Sequence, residues 1–201
     1  MGDNGMIIRC ADTGDLDSIS DIHSKAMPDA LLVRTGRYFL ERTLYPFALK
    51  DNDTRVYVAQ TPKGVEGVAI YGRCPETFQH HIAANKLHLL ISVLLQKHRA
   101  PALLLNILKA KSGTAVHQSR PGDSLFHLFL IAVSTHRHRS GIGTVLMEKS
   151  LSDAAAFFDK RCCLVDARTE NAYRFYKKNG FRDIGVEIRG ADKYFQLLKE
   201  I

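Results

Sequence analysis

Between residues 125 and 168 the chain reads strand, glycine loop, helix, strand, and that order constrains its fold more than any other feature. "LFHLFLIAVS" (125–134) and "CCLVDAR" (162–168) are near-continuous apolar runs, the pattern of strands buried on both faces. The spacing predicts a helix from about 142 to 158 between them. Two strands joined through a helix lie parallel, and the crossover is right-handed. The class is therefore α/β.

The flanking segments extend this unit on both sides. "MIIRCA" alternates like a short strand, and Leu16, Ile19, Ile22 and Ala26 follow at helical spacing, with Asp12, Thr13 and Asp15 available as caps and Pro28 as a stop. A second helical piece carries Tyr38, Phe39 and Leu40. "TRVYVAQ" (54–60), a turn at "TPKG" and "VEGVAIYG" (65–72) form an antiparallel hairpin. Beyond residue 168 a helix from about 170 to 178 precedes two closing strands, "GFRDIGVEIR" and "DKYFQLLKE". Residues 75–123 read as two helices broken near Pro101 and a Gly/Ser/Pro exit. Leu87, Leu90, Ile91, Leu94 and Leu95 share one broad face there, for packing on the domain, for a homodimer surface or for resting on a membrane. With no repeat and no linker, residues 1–201 form a single domain with an insertion at 75–123.

The loop "HRHRSGIG" (136–143) places basic side chains and Gly-x-Gly immediately before a helix. The first amides of a helix lack internal partners, and the helix dipole leaves about half a positive charge there. Glycines 141 and 143 keep Cβ atoms out of the way, so the amides of roughly Arg139 to Thr144 can seat a diphosphate, with Arg137 and Arg139 adding charge. A tight structural turn uses the same residues. The loop is not a dinucleotide fingerprint, since Leu146 stands where a third glycine belongs, and no Gly-Lys-Ser/Thr follows.

Composition narrows the setting. A net charge of +7 favours acidic partners, among them phosphorylated cofactors, but no helix-turn-helix or aromatic-interleaved basic patch points to nucleic acid. The four cysteines form no disulfide framework, with Cys162 and Cys163 adjacent, which suits a reducing cytoplasm. The start "MGDNGM" reads as neither a secretion signal nor a myristoylation site, and "LHLLISVLL" (87–95) is too short to span a bilayer.

"LIAVSTHRHRSGIGTVLM" together with "TENAYRFYKKNGF" (169–181) resembles the GCN5-related N-acetyltransferase (GNAT) superfamily. The resemblance follows the element order of nearly the whole chain outside 75–123. It implies a mixed, splayed central sheet flanked by helices, with the helical insertion between the third and fourth strands. Acetyl-CoA would enter where the strands at 125–134 and 162–168 part. It implies that the backbone of Ile131, Ala132 and Val133 pairs with the pantetheine arm, and that the loop from His138 through Arg139, Ser140, Gly141, Ile142, Gly143 and Thr144 holds the diphosphate. Asn171 matches a cofactor-contacting asparagine, and Tyr176 the tyrosine beside the sulfur. The family usually has Gln or Arg where this chain has His138, so a side-chain contact passes to Arg137 or Arg139.

Acetyl transfer to an amine sets two proton problems. An amine with a pKa of about 10.4 must lose a proton, and a thiolate with a pKa of about 8.5 leaves more easily if it gains one. Tyr176 suits the second need. For the first the resemblance offers His127, six residues before Val133; the even spacing predicts that both face the same way. A packed tyrosine and a satisfied core histidine are the plainer readings, and a water chain can also accept the proton. The resemblance places the acceptor against residues 26–42, where Arg34, Arg37 and Arg42 could meet an anionic group and Asp29 an ammonium, unless they are ordinary surface charge. His80, His81 and His88 lack companion ligands, so no metal is expected. The resulting expectation is an acetyltransferase acting on a small amine such as an amino sugar; a protein acetyltransferase and a non-catalytic basic acyl-CoA-binding module are the alternatives.

Overall fold

A computed structural model describes residues 5–74, 80–81, 84–85, 88, 91–92, 124–189 and 192–201. Seven strands form one sheet: β1 (Ile7–Cys10), β2 (Thr54–Thr61), β3 (Gly64–Gly72), β4 (Leu125–Val133), β5 (Cys162–Ala167), β6 (Arg182–Arg189) and β7 (Asp192–Glu200). Their order is β1-β2-β3-β4-β5-β7-β6, antiparallel throughout except for the parallel pair β4 and β5. The mixed sheet, the hairpin and both closing strands stand where the sequence pattern puts them. The helical reading of residues 75–123 falls largely outside the described residues, as does its apolar face apart from Ile91.

Two helical layers sandwich this sheet. On one face lies α1 (Leu16–Ala26), entered through a turn in which the Asp12 side chain accepts from the Gly14 amide and Asp15 accepts from the Asp12 amide. Short helices α2 (Leu31–Arg34) and α3 (Arg37–Phe39) follow, then a π-helical turn at Leu40–Leu44 and α4 (Tyr45–Lys50). Pro46 stands at the start of α4, where its missing N–H breaks the regular helical ladder, which accounts for the widened turn before it. Ile19, Ile22, Phe39, Leu40 and Tyr45 of this layer pack on Val56, Val58, Val68, Ile70, Leu130 and Ala132 of the sheet.

The opposite face carries α5 (Ile142–Phe158) and α6 (Glu170–Lys178). Ile142, Leu146, Met147, Leu151, Ala154 and Phe158 of α5 fall on one stripe and bury against Tyr57, Tyr71, Phe126, Leu128, Ile131 and Val165. Asp159 ends α5 in the left-handed region at φ 53°, its amide returning to Ala155 and Ala156. Polar ties cross into this core as well: the Tyr57 hydroxyl donates to Asp153 at 2.6 Å, and the Tyr71 and Ser150 hydroxyls lie 2.9 Å apart.

Candidate active site

The feature that shapes the site is one extra residue in β4. Ile70 of β3 pairs with Leu130, but Tyr71 pairs with Leu128, so Phe129 is a β-bulge. On the other side, β4 pairs with β5 only from Leu125↔Cys162 to Leu128↔Val165. The strands part at the bulge. The Phe129 ring is accommodated by Gly72, where a Cβ would come within 2.2 Å of it.

The bulge also exchanges the faces of β4. Phe126 and Leu128 point into the α5 core; past Phe129, Ile131 and Val133 do so, while Leu130 and Ala132 join the α1–α4 core. The even spacing of His127 from Val133 predicts a shared face, and the structure corrects this. His127 stands between Phe126 and Leu128, so it faces the α1–α4 layer, its ring near-parallel to that of Phe129 with centroids 6.0 Å apart. The apolar run around His127 hides the change of parity, because a strand buried on both faces shows no alternation.

Beyond the bulge, Ile131, Ala132 and Val133 keep their pairing with Ala69, Val68 and Gly67 of β3. The Ser134 amide donates to the Glu66 carbonyl at 2.8 Å, so by antiparallel alternation the peptide groups of Val133 and Ile131 turn toward the opening. His138 marks that direction: its Nε2 donates to the Val133 carbonyl at 3.2 Å. The side chain standing at the family's Gln/Arg position thus contacts the strand edge itself.

The loop leads from this edge into α5. Gly141 is the N-cap, at φ 88°, and no side chain caps the helix; a Cβ on Gly141 would meet nothing within 4 Å. Its glycine is required by backbone conformation. A Cβ on Gly143 would lie 3.4 Å from the Phe175 ring and 3.5 Å from Val133, so that position faces protein side chains. The Ser140 amide is turned back to Arg137 and the Thr144 amide to Gly141, which narrows the predicted run of available amides. Among the described residues, those of Arg139, Gly141, Ile142 and Gly143 have no backbone acceptor. No acidic side chain stands in the first turn of α5. Arg139 adopts φ 63° without being glycine, a strained conformation that sequence reading misses. Arg137 lies half-buried with its Nε unpartnered. Beneath the loop, buried Glu66 reaches His136, Oε2 to Nε2 at 3.1 Å.

Tyr176 belongs to the core on the α5 side of the sheet. It is buried in α6, against the rings of Phe175 and Phe181. Burial, and then the charges of Cys163 and Asp166, push its hydroxyl well above the ordinary tyrosine range, so it holds its proton at neutral pH. Asn171 is exposed in the first turn of α6, one turn before Phe175, while Thr169 caps the helix by accepting from the Ala172 amide at 3.2 Å.

On the other face, Arg37 is paired with Glu41 and lies 3.9 Å from Asp17, so ordinary surface pairing accounts for it. Asp29 and Arg42 are exposed and Arg34 is half-buried. His81 stacks on Phe47 of α4 with centroids 3.7 Å apart and its Nε2 donates to the Thr43 carbonyl at 3.3 Å, so this part of the insertion meets the α1–α4 layer. His80 and His88 are exposed, and among the described residues no group of His, Cys, Asp or Glu could hold a metal ion. Among them, too, no helix is long and apolar enough to cross a membrane.

Residues 106–183 match the family profile described as an acetyltransferase (GNAT) domain. No curated protein matches the chain in sequence. Among solved structures, one described as histone acetyltransferase HPA2 and related acetyltransferase from Corynebacterium glutamicum aligns over 98% of this chain and 96% of that one, with TM-score 0.63 at 17% identity. An N-acetyltransferase from Staphylococcus aureus Mu50 aligns over 98% of both chains, with TM-score 0.62 at 16% identity. YncA from Salmonella typhimurium, solved with its cofactor acetyl-CoA, aligns over 98% of this chain and 94% of that one, with TM-score 0.60 at 15% identity. The profile and the shared fold define an acetyltransferase domain. The likeness to the GNAT superfamily is carried in sequence by residues 106–183 and over nearly the whole chain by the fold.

Proposed function

We propose that the protein transfers the acetyl group of acetyl-CoA to a primary amine of a small molecule, an amino sugar being the example to test first. The observation that carries this reading is the parting of β4 from β5 at Phe129, with the edge of β4 running into the open amides before α5. An extended amide-bearing arm can pair with Val133 and Ile131 as an added strand, and a diphosphate suits the amides of Arg139, Gly141, Ile142 and Gly143. His138 gives up its bond to Val133 as the arm arrives, Asn171 meets the cofactor from α6, and Arg137 and Arg139 supply charge.

The two faces of the sheet divide the proton work. The amine nitrogen attacks the thioester carbonyl, the carbon–sulfur bond breaks, and the amine must shed a proton while the sulfur gains one. Tyr176, protonated and on the α5–α6 side, donates to the departing sulfur. His127, on the α1–α4 side, accepts from the amine. A general base belongs on the side from which the acceptor comes, and the bulge supports His127 in that role by turning it away from Val133. No metal is needed for either step. The four free thiols fit a reducing cytoplasmic setting, and the homodimer considered from the insertion is open to light scattering.

Thiol release from acetyl-CoA with a panel of amines, amino sugars and peptides tests the reading. Turnover with small amines supports it. Turnover confined to peptides replaces it with a protein acetyltransferase, and acetyl-CoA binding without any turnover replaces it with an acyl-CoA-binding module.

A further inference from the structure

A buried carboxylate lies under the loop and takes no part in the proton steps. β2 and β3 pair at Ala59↔Gly67 and then at Gln60↔Val65, so Glu66 is an extra residue in β3. Its carbonyl accepts from the Ser134 amide at 2.8 Å, which fixes the point where β4 ends and the loop begins. Its side chain is 7% exposed, and Nε2 of the exposed His136 lies 3.1 Å from Oε2 and 3.4 Å from Oε1. Among the described residues no other side chain gives Glu66 a hydrogen bond or an ion pair, and Oε2 accepts no hydrogen bond. A buried carboxylate so sparsely compensated is costly unless its partner carries positive charge.

From this pair a short relay of contacts runs to the amides before α5. His136 sits in the tight helical turn Thr135–Arg137 that follows β4. The Arg137 amide returns to the Ser134 carbonyl, and the Arg137 carbonyl accepts both the amide and the hydroxyl of Ser140, at 3.2 and 2.6 Å. Ser140 is flanked by Arg139 at φ 63° and Gly141 at φ 88°. Left-handed residues so placed turn amides toward an anion, and a non-glycine residue keeps that conformation only where its surroundings impose it. Glu66 ties the turn twice, at Ser134 through its backbone and at His136 through its carboxylate. The other ionisable groups around this end of β3 are engaged elsewhere or exposed. Arg9 of β1 pairs with Asp15 and bonds Gln60. On α1, which packs against β3 and the turn, His23 bonds Tyr45, while Asp17 and Asp21 meet Arg37 and Lys25. His138 bonds the Val133 carbonyl, and Lys63, Glu148 and Lys149 are exposed. Arg137 and Arg139 supply charge, which arginine keeps across the range in which histidine titrates.

We propose that Glu66 and His136 form a positioning pair that holds the amides of Arg139, Gly141, Ile142 and Gly143 ready for the diphosphate, and that the pair strengthens acetyl-CoA binding as His136 gains a proton. Imidazolium and carboxylate attract, so the turn is held most firmly below a pH of about 6.5, where histidine ordinarily takes a proton, and is loosened above it. Because His136 is exposed the effect is modest, about fivefold in affinity. The inference rests on the acetyl-CoA reading of the loop and adds a regulator of that site.

Calorimetry with acetyl-CoA at pH 6 and pH 8 tests it on the wild-type chain, Glu66→Gln, His136→Gln and the double variant, each shown to be folded by circular dichroism. At pH 6, His136→Gln should weaken binding about fivefold when Glu66 is present and by less than about twofold in the Glu66→Gln background; at pH 8 both losses should stay within about twofold. The pairwise comparison cancels the ionisation of the cofactor phosphates and of His138, which all the variants share. A Glu66→Gln loss that is the same at both pH values and independent of His136 means that the carboxylate only packs, and it overturns the inference while leaving cofactor binding standing. A His136 effect that survives in Glu66→Gln overturns it too, since the charge then acts without the pair. Where Glu66→Gln does not fold, Glu66→Asp, which draws the carboxylate back by one methylene, takes its place and should at least halve the His136 effect at pH 6; an undiminished effect overturns the inference. No binding of acetyl-CoA by the wild type at either pH overturns the acetyl-transfer reading and the inference with it.

Discussion

The two faces of the sheet solve different problems with different means. The α5–α6 face is an apolar core crossed by the Tyr57–Asp153 and Tyr71–Ser150 ties, with unpaired amides at the start of α5 on its rim. The α1–α4 face buries ionisable groups within its packing. His23 and Tyr45 lie wholly inside it, with Nδ1 and the hydroxyl 2.5 Å apart, and His127 looks toward the same side. One face presents unpaired backbone amides at its rim, while the other buries titratable side chains. The lesson is that β4, common to both, sets which side chains reach which face, and the single inserted residue Phe129 makes the assignment.

The largest expected effect separates these roles on the α5–α6 face. Tyr176→Phe should lower turnover by about a thousandfold while leaving acetyl-CoA affinity within about twofold. Single-turnover kinetics beside calorimetry checks it, and parallel losses would mean that the ring only packs.

Next in size is a stability effect on the α1–α4 face. Burial lowers the His23 pKa to about 4, against an ordinary 6.5. The folded chain therefore refuses a proton that the unfolded chain accepts: stability is complete above pH 6.5 and declines as pH falls toward 4. The loss is about 3 kcal/mol by linkage. Urea titrations between pH 7 and pH 4 measure it, and His23→Asn should flatten that segment of the curve while lowering stability at pH 7.

His127→Gln should reduce kcat/KM by about a hundredfold at neutral pH and remove the acidic limb of the pH–rate profile. An unaltered profile would pass the role to a water chain. A smaller change, about tenfold weaker acetyl-CoA binding, is expected from Gly141→Val, because a β-branched residue is strained at φ 88°. Arg37→Ala should change acceptor KM least, by no more than about twofold, since its charge is already met by Glu41 and Asp17.

Helices and strands were legible because each announces itself locally. Pro28 stops α1, Gly141 precedes α5, and the two apolar runs at 125–134 and 162–168 frame the crossover. The loop and Tyr176 were legible as a motif. What escaped depends on pairing across the sheet. Nothing in "FHLFLIAV" reveals that Phe129 is extra, since its neighbours are apolar toward both faces, although Gly72 in the partner strand is the trace it leaves. Asp166 with Arg189 is a contact between residues 23 apart in the chain, brought together only when β7 inserts between β5 and β6. The left-handed turn at Arg139 has no compositional sign, arginine being unremarked in any basic loop.

Another inserted residue, Ile184, interrupts β6, the outermost strand, between Asp183↔Leu197 and Gly185↔Gln196. The kink it introduces denies a neighbouring molecule the straight run of peptide groups that unwanted sheet growth requires. Val186 and Ile188 remain exposed beside it, flanked by Arg182, Asp183, Glu187 and Arg189. Straightening this rim by deleting Ile184 should therefore leave a chain that precipitates on concentration.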